Sequence, residues 1–154
     1  ESVIKKNGSR AKNILLMSNL AKRVVDKMYE NDAFSQWLGI KRIEDGAGKS
    51  VLQMTVRKEM LNGFNIAHGG ITYSLADSAL AFASNGHGRK AVSVETSISH
   101  TETCKEGDVL TTHTEEISLS NKIGVYQITI TNQGDKTVAL FKGTVYRTSK
   151  DWES

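Results

Sequence analysis

Asp77 is a carboxylate set inside an apolar run. From Gly69 to Asn85 the chain reads GGITYSLADSALAFASN, and on a helical wheel Ile71, Leu75, Ala76, Ala79, Leu80, Phe82 and Ala83 occupy nearly every direction. A helix of that kind is expected to be buried all round, and an unpaired carboxylate within it costs several kcal/mol or takes a raised pKa. Two readings stay open. Either Tyr73 or Ser84, its wheel neighbours, satisfies the group by a hydrogen bond within the helix, or the carboxyl is tuned as a general base or nucleophile. Just upstream, His68-Gly69-Gly70 stands where a loop meets the helix start. Unpaired backbone N–H groups there can meet an anionic oxygen, and the glycines let a carbonyl approach without a Cβ in the way; this is the anatomy of an oxyanion hole. The alternative is a plain glycine turn into a helix.

Spacing links the two features. Gly69 and Asp77 are eight residues apart, which on one helix is about 12 Å along the axis. They cannot both touch one carbonyl. If both are catalytic, two such helices meet antiparallel across a two-fold axis, with Gly69 of one copy facing Asp77 of the other, and function demands a homodimer with shared active sites.

The elements that position these residues follow from periodicity. Between Asn13 and Glu30, Leu20, Val24 and Met28 recur every four residues with Ala21 and Val25 beside them, which predicts an N-terminal helix. Asp32 caps a short second helix through Trp37. Leu38, Ile40 and Ile43 open a strand that turns at Asp45-Gly46-Ala47-Gly48, and Val51 to Val56 continues as its partner. From Val92 the period is two, with Val92, Val94, Thr96 and Ile98 on one face and Ser93, Glu95, Ser97 and Ser99 on the other. Three more such runs, Val109–Leu119, Ile123–Thr131 and Thr137–Arg147, are separated by hairpin-type breaks. These four strands are expected to be antiparallel neighbours. The predicted fold is α+β: a long central helix wrapped by one antiparallel sheet of five or six strands, with an N-terminal helix in front. Residues 1–12 read as a basic, flexible arm, 13–148 as a single domain and 149–154 as a C-terminal tail.

Composition narrows the function classes. The 154 residues are 38% hydrophobic with no proline, which excludes collagen-like and disordered classes and fits one domain. The net charge of +3 is concentrated in residues 1–30, where seven Lys or Arg stand against three Asp or Glu, leaving net −1 for the rest. No nucleic-acid motif accompanies that basic segment, so no nucleic-acid partner is expected. No apolar run is long enough to span a membrane, and Ile14–Met17 is too short for a signal peptide's apolar segment. A single cysteine, Cys104, fits a reducing compartment and predicts a cytoplasmic protein. His68, His87, His100, His113 and Cys104 lack metal-ligand spacing, so no metal is expected. The absence of a Gly-x-Ser-x-Gly elbow disfavours a serine-triad hydrolase.

Taken together, Met60-Leu61-Asn62-Gly63, His68-Gly69-Gly70, Ser74-Leu75-Ala76-Asp77, Val92-Ser93-Val94-Glu95, Gly124-Val125-Tyr126 and Val138-Ala139-Leu140-Phe141-Lys142-Gly143 resemble the hotdog-fold thioesterases of the phenylacetate-degradation type. The resemblance extends from about Met28 to Arg147. It implies hydrolysis of acyl-CoA thioesters without metal or further cofactor, coenzyme A being part of the substrate, in dimers that associate as dimers of dimers. Carried over by position, Asp77 is the catalytic carboxylate, acting on water or attacking directly, and Gly69 supplies the oxyanion N–H with support from the helix dipole. Asn62 orients the thioester or the attacking water, and Ser93 positions water near the carboxylate. His68 either takes a direct part or braces its loop, with Gly70 beside it. The resemblance favours aryl-acetyl groups such as phenylacetyl or hydroxyphenylacetyl, and Tyr73 and Ala81, on Asp77's face of the helix, are expected to border the acyl pocket. Glu102-Thr103-Cys104-Lys105 departs from the family, where an Arg-Pro or similar pair stands near the coenzyme-A nucleotide. Asn121 and Lys122, at the next hairpin, either meet its phosphates or are solvated turn residues. Two rival readings are an acyl-CoA-binding regulatory module and a hydratase; the latter lacks the expected His on this helix, where Phe82 sits.

Overall fold

The computed structural model describes residues 2–153, with side chains from residue 8 onward. Helix α1 spans Ser2–Glu30, α2 Ala33–Leu38 and α3 Gly69–Asn85. The strands are β1 Lys41–Gly46, β2 Lys49–Thr55, β3 Arg89–His100, β4 Val109–Leu119, β5 Ile123–Thr131 and β6 Thr137–Asp151. They form one antiparallel sheet of six in the order β1-β2-β4-β5-β6-β3. The sheet curves around α3, which packs on its inner face through Leu75, Ala79, Leu80, Phe82 and Ala83. Opposite them the inward residues of alternating strands, among them Leu52, Met54, Leu110, Ile128, Ile130 and Phe141, complete the core. At Gly143 of β6, a Cβ would lie 2.4 Å from Leu80 Cδ2, so the absence of a side chain lets α3 settle against the sheet.

Several expectations are corrected. β3 pairs with β6 rather than with β4, its successor in the chain, because residues 101–108 form a long connection that carries the chain across to the far side of the β4–β5–β6 meander. β3 is therefore an edge strand. Leu38 ends α2 instead of opening β1, and the left-handed Gly39 (φ 72°) turns the chain between them. The helix predicted from Asn13 begins at Ser2, so no break falls at residue 12, although among the described side chains α1 packs on the body only from Leu20 and leaves Ile14 to Met17 exposed. The segment read as a tail continues β6 to Asp151, with Trp152 hydrogen-bonded to Gly88. Finally, α3 is not covered on all sides: Tyr73, Ser74, Asp77 and Ala81 form a half-exposed stripe.

Candidate active site

The loop into α3 is fixed from within. Asn62 Oδ1 accepts from the N–H of Phe64 (2.9 Å), and the Asn62 N–H donates to Ile66 (2.8 Å), which folds residues 62–66 into a tight turn. His68 is the N-cap: its Nδ1 accepts from the N–H of Gly70 at 3.0 Å, and its carbonyl accepts from the N–H of Ile71 at 2.8 Å. His68 thus braces the helix start. Gly69 is left as the first-turn residue whose N–H has no acceptor among the described residues. Gly70, whose N–H the imidazole takes, is not an available donor.

A residue not singled out by sequence reasoning stands beside Gly69. The His100 ring, at the end of β3, would lie 3.1 Å from a Cβ on Gly69, so only glycine fits without displacing it. Thr72 Oγ1 donates to the Gly69 carbonyl (3.0 Å) and lies 2.8 Å from His100 Nε2. With its one proton committed, the hydroxyl accepts from Nε2–H, which assigns the tautomer of His100. A cavity of about 400 Å³ opens here, bordered by Asn62, Gly69, Thr72, His100 and the buried Cys104. Burial raises the Cys104 thiol to about 11, so it stays protonated.

The second half of the site lies two turns further along α3. Asp77 is half-buried, and desolvation holds its carboxyl above the usual aspartate value. Neither predicted partner satisfies it: the Tyr73 hydroxyl pairs with Thr96, and Ser84 Oγ donates to the Ala81 carbonyl. Among the described residues the carboxylate has no hydrogen-bond partner, the state expected of a base awaiting a proton. Its cavity, also about 400 Å³, is bordered by Ala81, Asn85, Ser93 and Trp152.

Ser93 reaches that cavity because β3 changes face. Between Ser93 and Glu95 the register to β6 slips by one residue, leaving Val94 as a bulge. Ser93 pairs with the buried Val145 and faces α3, whereas beyond the bulge Thr96 and Ile98 take the inner positions. The expected single face of Val92, Val94, Thr96 and Ile98 is therefore split, and Val92 and Val94 are 58% and 59% exposed. Without the bulge, strict alternation would place Ser93 outside.

The two cavities share no bordering residue. Asn62 and Gly69 belong to one; Asp77, Ala81 and Ser93 to the other. The remaining candidates lie apart: Tyr73 packs edge-on to Phe141 (5.4 Å) and borders neither cavity, and Asn121 accepts from Arg89 Nη1 at 3.0 Å. Lys122 likewise borders neither, its carbonyl accepting from the Arg147 N–H. Among the described residues no three His, Cys, Asp or Glu side chains converge as a metal site would require.

Residues 64–139 match the thioesterase superfamily. The chain is 43% identical over 131 residues to the acyl-coenzyme A thioesterase PaaI of Escherichia coli, covering 85% of this chain and 94% of that one. The chain belongs to the thioesterase superfamily. The solved E. coli PaaI structure, a protein of the phenylacetic acid degradation operon, superposes with a TM-score of 0.85 at 41% identity over 88% of this chain and 98% of that one, so the fold is the hotdog fold of these enzymes. A hypothetical thioesterase protein of Streptococcus pneumoniae, solved with coenzyme A, aligns at TM-score 0.76 and 26% identity, covering 81% and 98% of the two chains. Further structures of that pneumococcal thioesterase carry alanine in place of an aspartate and, sixteen positions on, of a threonine. No described helix is long and apolar enough to cross a membrane.

Proposed function

We propose that the protein hydrolyses acyl-CoA thioesters to the free acid and coenzyme A, with aryl-acetyl groups such as phenylacetyl and hydroxyphenylacetyl as preferred acyl parts. The observation that carries this reading is the pairing, on one helix, of an unclaimed backbone donor at Gly69 with an unpartnered carboxylate at Asp77. The identity to PaaI and the coenzyme A of the pneumococcal relative support the substrate class. Sixteen positions also separate Asp77 from Ser93, the interval of the aspartate and threonine replaced in that relative.

The site is assembled from two copies. β3 is an open sheet edge with exposed Val92 and Val94, and antiparallel pairing of two such edges sets the α3 helices antiparallel. The Gly69 N–H of one copy then polarises the thioester carbonyl beside Asp77 of the other. In the general-base route, Asp77 takes a proton from a water held by Ser93 as the water oxygen bonds to the carbonyl carbon. The oxyanion rests on the Gly69 N–H at the positive end of the helix. As the carbon–sulfur bond breaks, the thiolate recovers the proton. In the nucleophilic route Asp77 itself bonds to the carbonyl carbon, the carbon–sulfur bond breaks to release the coenzyme A thiolate, and water then hydrolyses the mixed anhydride, freeing the acid and Asp77 while a proton from the water goes to the thiolate. In this reading Asn62 orients the thioester, and only the substrate's own coenzyme A enters the scheme.

The test is release of free coenzyme A from phenylacetyl-, hydroxyphenylacetyl- and straight-chain acyl-CoA by the native chain and by Asp77→Asn. Native turnover that falls by about 10²- to 10⁴-fold in the variant is expected. Binding of acyl-CoA without hydrolysis in either protein would overturn the enzyme reading in favour of a binding module.

A further inference from the structure

The cavity beside Asp77 is bordered by a residue outside the span that resembles the family. Trp152 follows directly on β6 and is held at three points, with a further tie at its neighbour. Its N–H donates to Gly88 (2.9 Å), and its indole Nε1–H donates to Oδ1 of the buried Asn85 (2.8 Å). The Lys90 ammonium lies 5.1 Å above its ring, and the next residue, Glu153, receives two hydrogen bonds from Arg23 of α1 (2.8 and 3.1 Å). Asn85 is itself immobilised, since its amide donates to the carbonyls of Ala81 and Ala91. The indole is thus a fixed wall, facing a cavity whose other surfaces include the apolar side chains of Met28, Leu80 and Val145. Asp77 and Ser93 border the same cavity. At about 400 Å³ it falls within the range of small-molecule sites, ~300–1,000 Å³.

We infer that Trp152 is a specificity-determining residue: its indole forms one side of the acyl pocket and selects flat aromatic acyl groups over straight chains. This rests on the proposed thioesterase reading. A rigid aromatic wall gains offset or edge-to-face contact with an aryl ring that a flexible alkyl chain cannot reproduce, and its polar edge is already satisfied by Asn85. Because that edge is occupied, the indole offers the acyl group only its apolar surface.

The test compares kcat/KM for phenylacetyl-CoA and octanoyl-CoA in the native protein, Trp152→Ala and Trp152→Phe. Trp152→Ala is expected to lower the phenylacetyl-to-octanoyl ratio roughly tenfold, and Trp152→Phe to restore most of it. A ratio within one protein is insensitive to partial unfolding, which scales both rates alike. A second readout uses Trp37→Phe with Asp77→Asn, in which Trp152 is the sole tryptophan and turnover is blocked. Phenylacetyl-CoA is expected to change its emission, and free coenzyme A to leave it unmoved. If the native protein hydrolyses both thioesters but the ratio stays constant in Trp152→Ala, this inference alone falls. If the native protein hydrolyses neither, the proposed function falls and takes the inference with it.

Discussion

At its N-terminal end α3 offers a backbone donor that its neighbours hold in place, whereas two turns later it offers a side-chain acid to which no described residue hydrogen-bonds. The Gly69 end is a closed hydrogen-bond arrangement of His68, Thr72 and His100 with one donor left over. The Asp77 end is a carboxyl kept partly from water with its charge uncompensated. The first is pre-organised to receive negative charge at no further cost. The second carries free energy that folding alone would remove, which is the usual mark of a group retained for chemistry.

The largest expected effect at the donor end comes from deleting the N–H itself. Gly69 is the first residue of α3 and follows an extended His68 (φ −59°, ψ 136°), a position whose backbone geometry suits proline. Gly69→Pro removes the donor, whereas Gly69→Ala keeps it; both place a Cβ near His100. We expect the proline variant to fall below the alanine variant in kcat by about 10²- to 10³-fold, and equal rates would dismiss the backbone donor. Subunit exchange extends the contrast: neither Gly69→Pro nor Asp77→Asn dimers are active, yet random mixing yields one intact site in each hybrid, about a quarter of native activity. No recovery on mixing would place both groups in a single-chain site.

At the acid end the expected sign is the opposite of the usual cost of mutation. With its pKa raised in the folded protein, Asp77 binds a proton on folding between the unfolded and folded values. Stability therefore falls as pH rises through that interval, and the full penalty stands above it. Asp77→Asn should melt above the native protein at neutral pH, with the gap closing as pH drops below the ordinary aspartate value of about 3.9. A lower melting temperature in the variant would show that the carboxylate has a partner in solution. For the same reason, the acidic limb of the native pH–rate profile should lie above that of an ordinary aspartate. The smallest effect belongs to His68→Ala, which removes only the cap to Gly70; about 1 kcal/mol of stability, read from urea unfolding, is expected.

The same contrast explains what could be read from the chain. The bounds of α3 were legible because His68-Gly69-Gly70 and the break after Asn85 are local signals, and the strand alternation indicated one antiparallel sheet of five or six strands, of which the structure has six. The sheet order was not legible, since the connection of residues 101–108 hides which strand β3 joins. Nor was the face of Ser93, because a bulge is invisible to a two-residue period. His100 and Trp152 were missed for a related reason: their partners, Thr72 and Asn85, lie 28 and 67 residues away, and nothing nearby marks either as part of a site. At His100 the signal lay in the neighbouring glycine, which needed a close neighbour to justify it.

The separation of Gly69 from Asp77 along one helix also has a consequence for inheritance. In an enzyme whose sites draw one half from each chain, an allele that loses only the acid still lends its donor half to a normal partner, so mixed dimers keep one working site and activity follows gene dose. An allele that loses both halves disables every dimer it enters. Opposite a normal chain, one lesion therefore leaves about half of native activity, whereas both lesions on the same chain leave about a quarter.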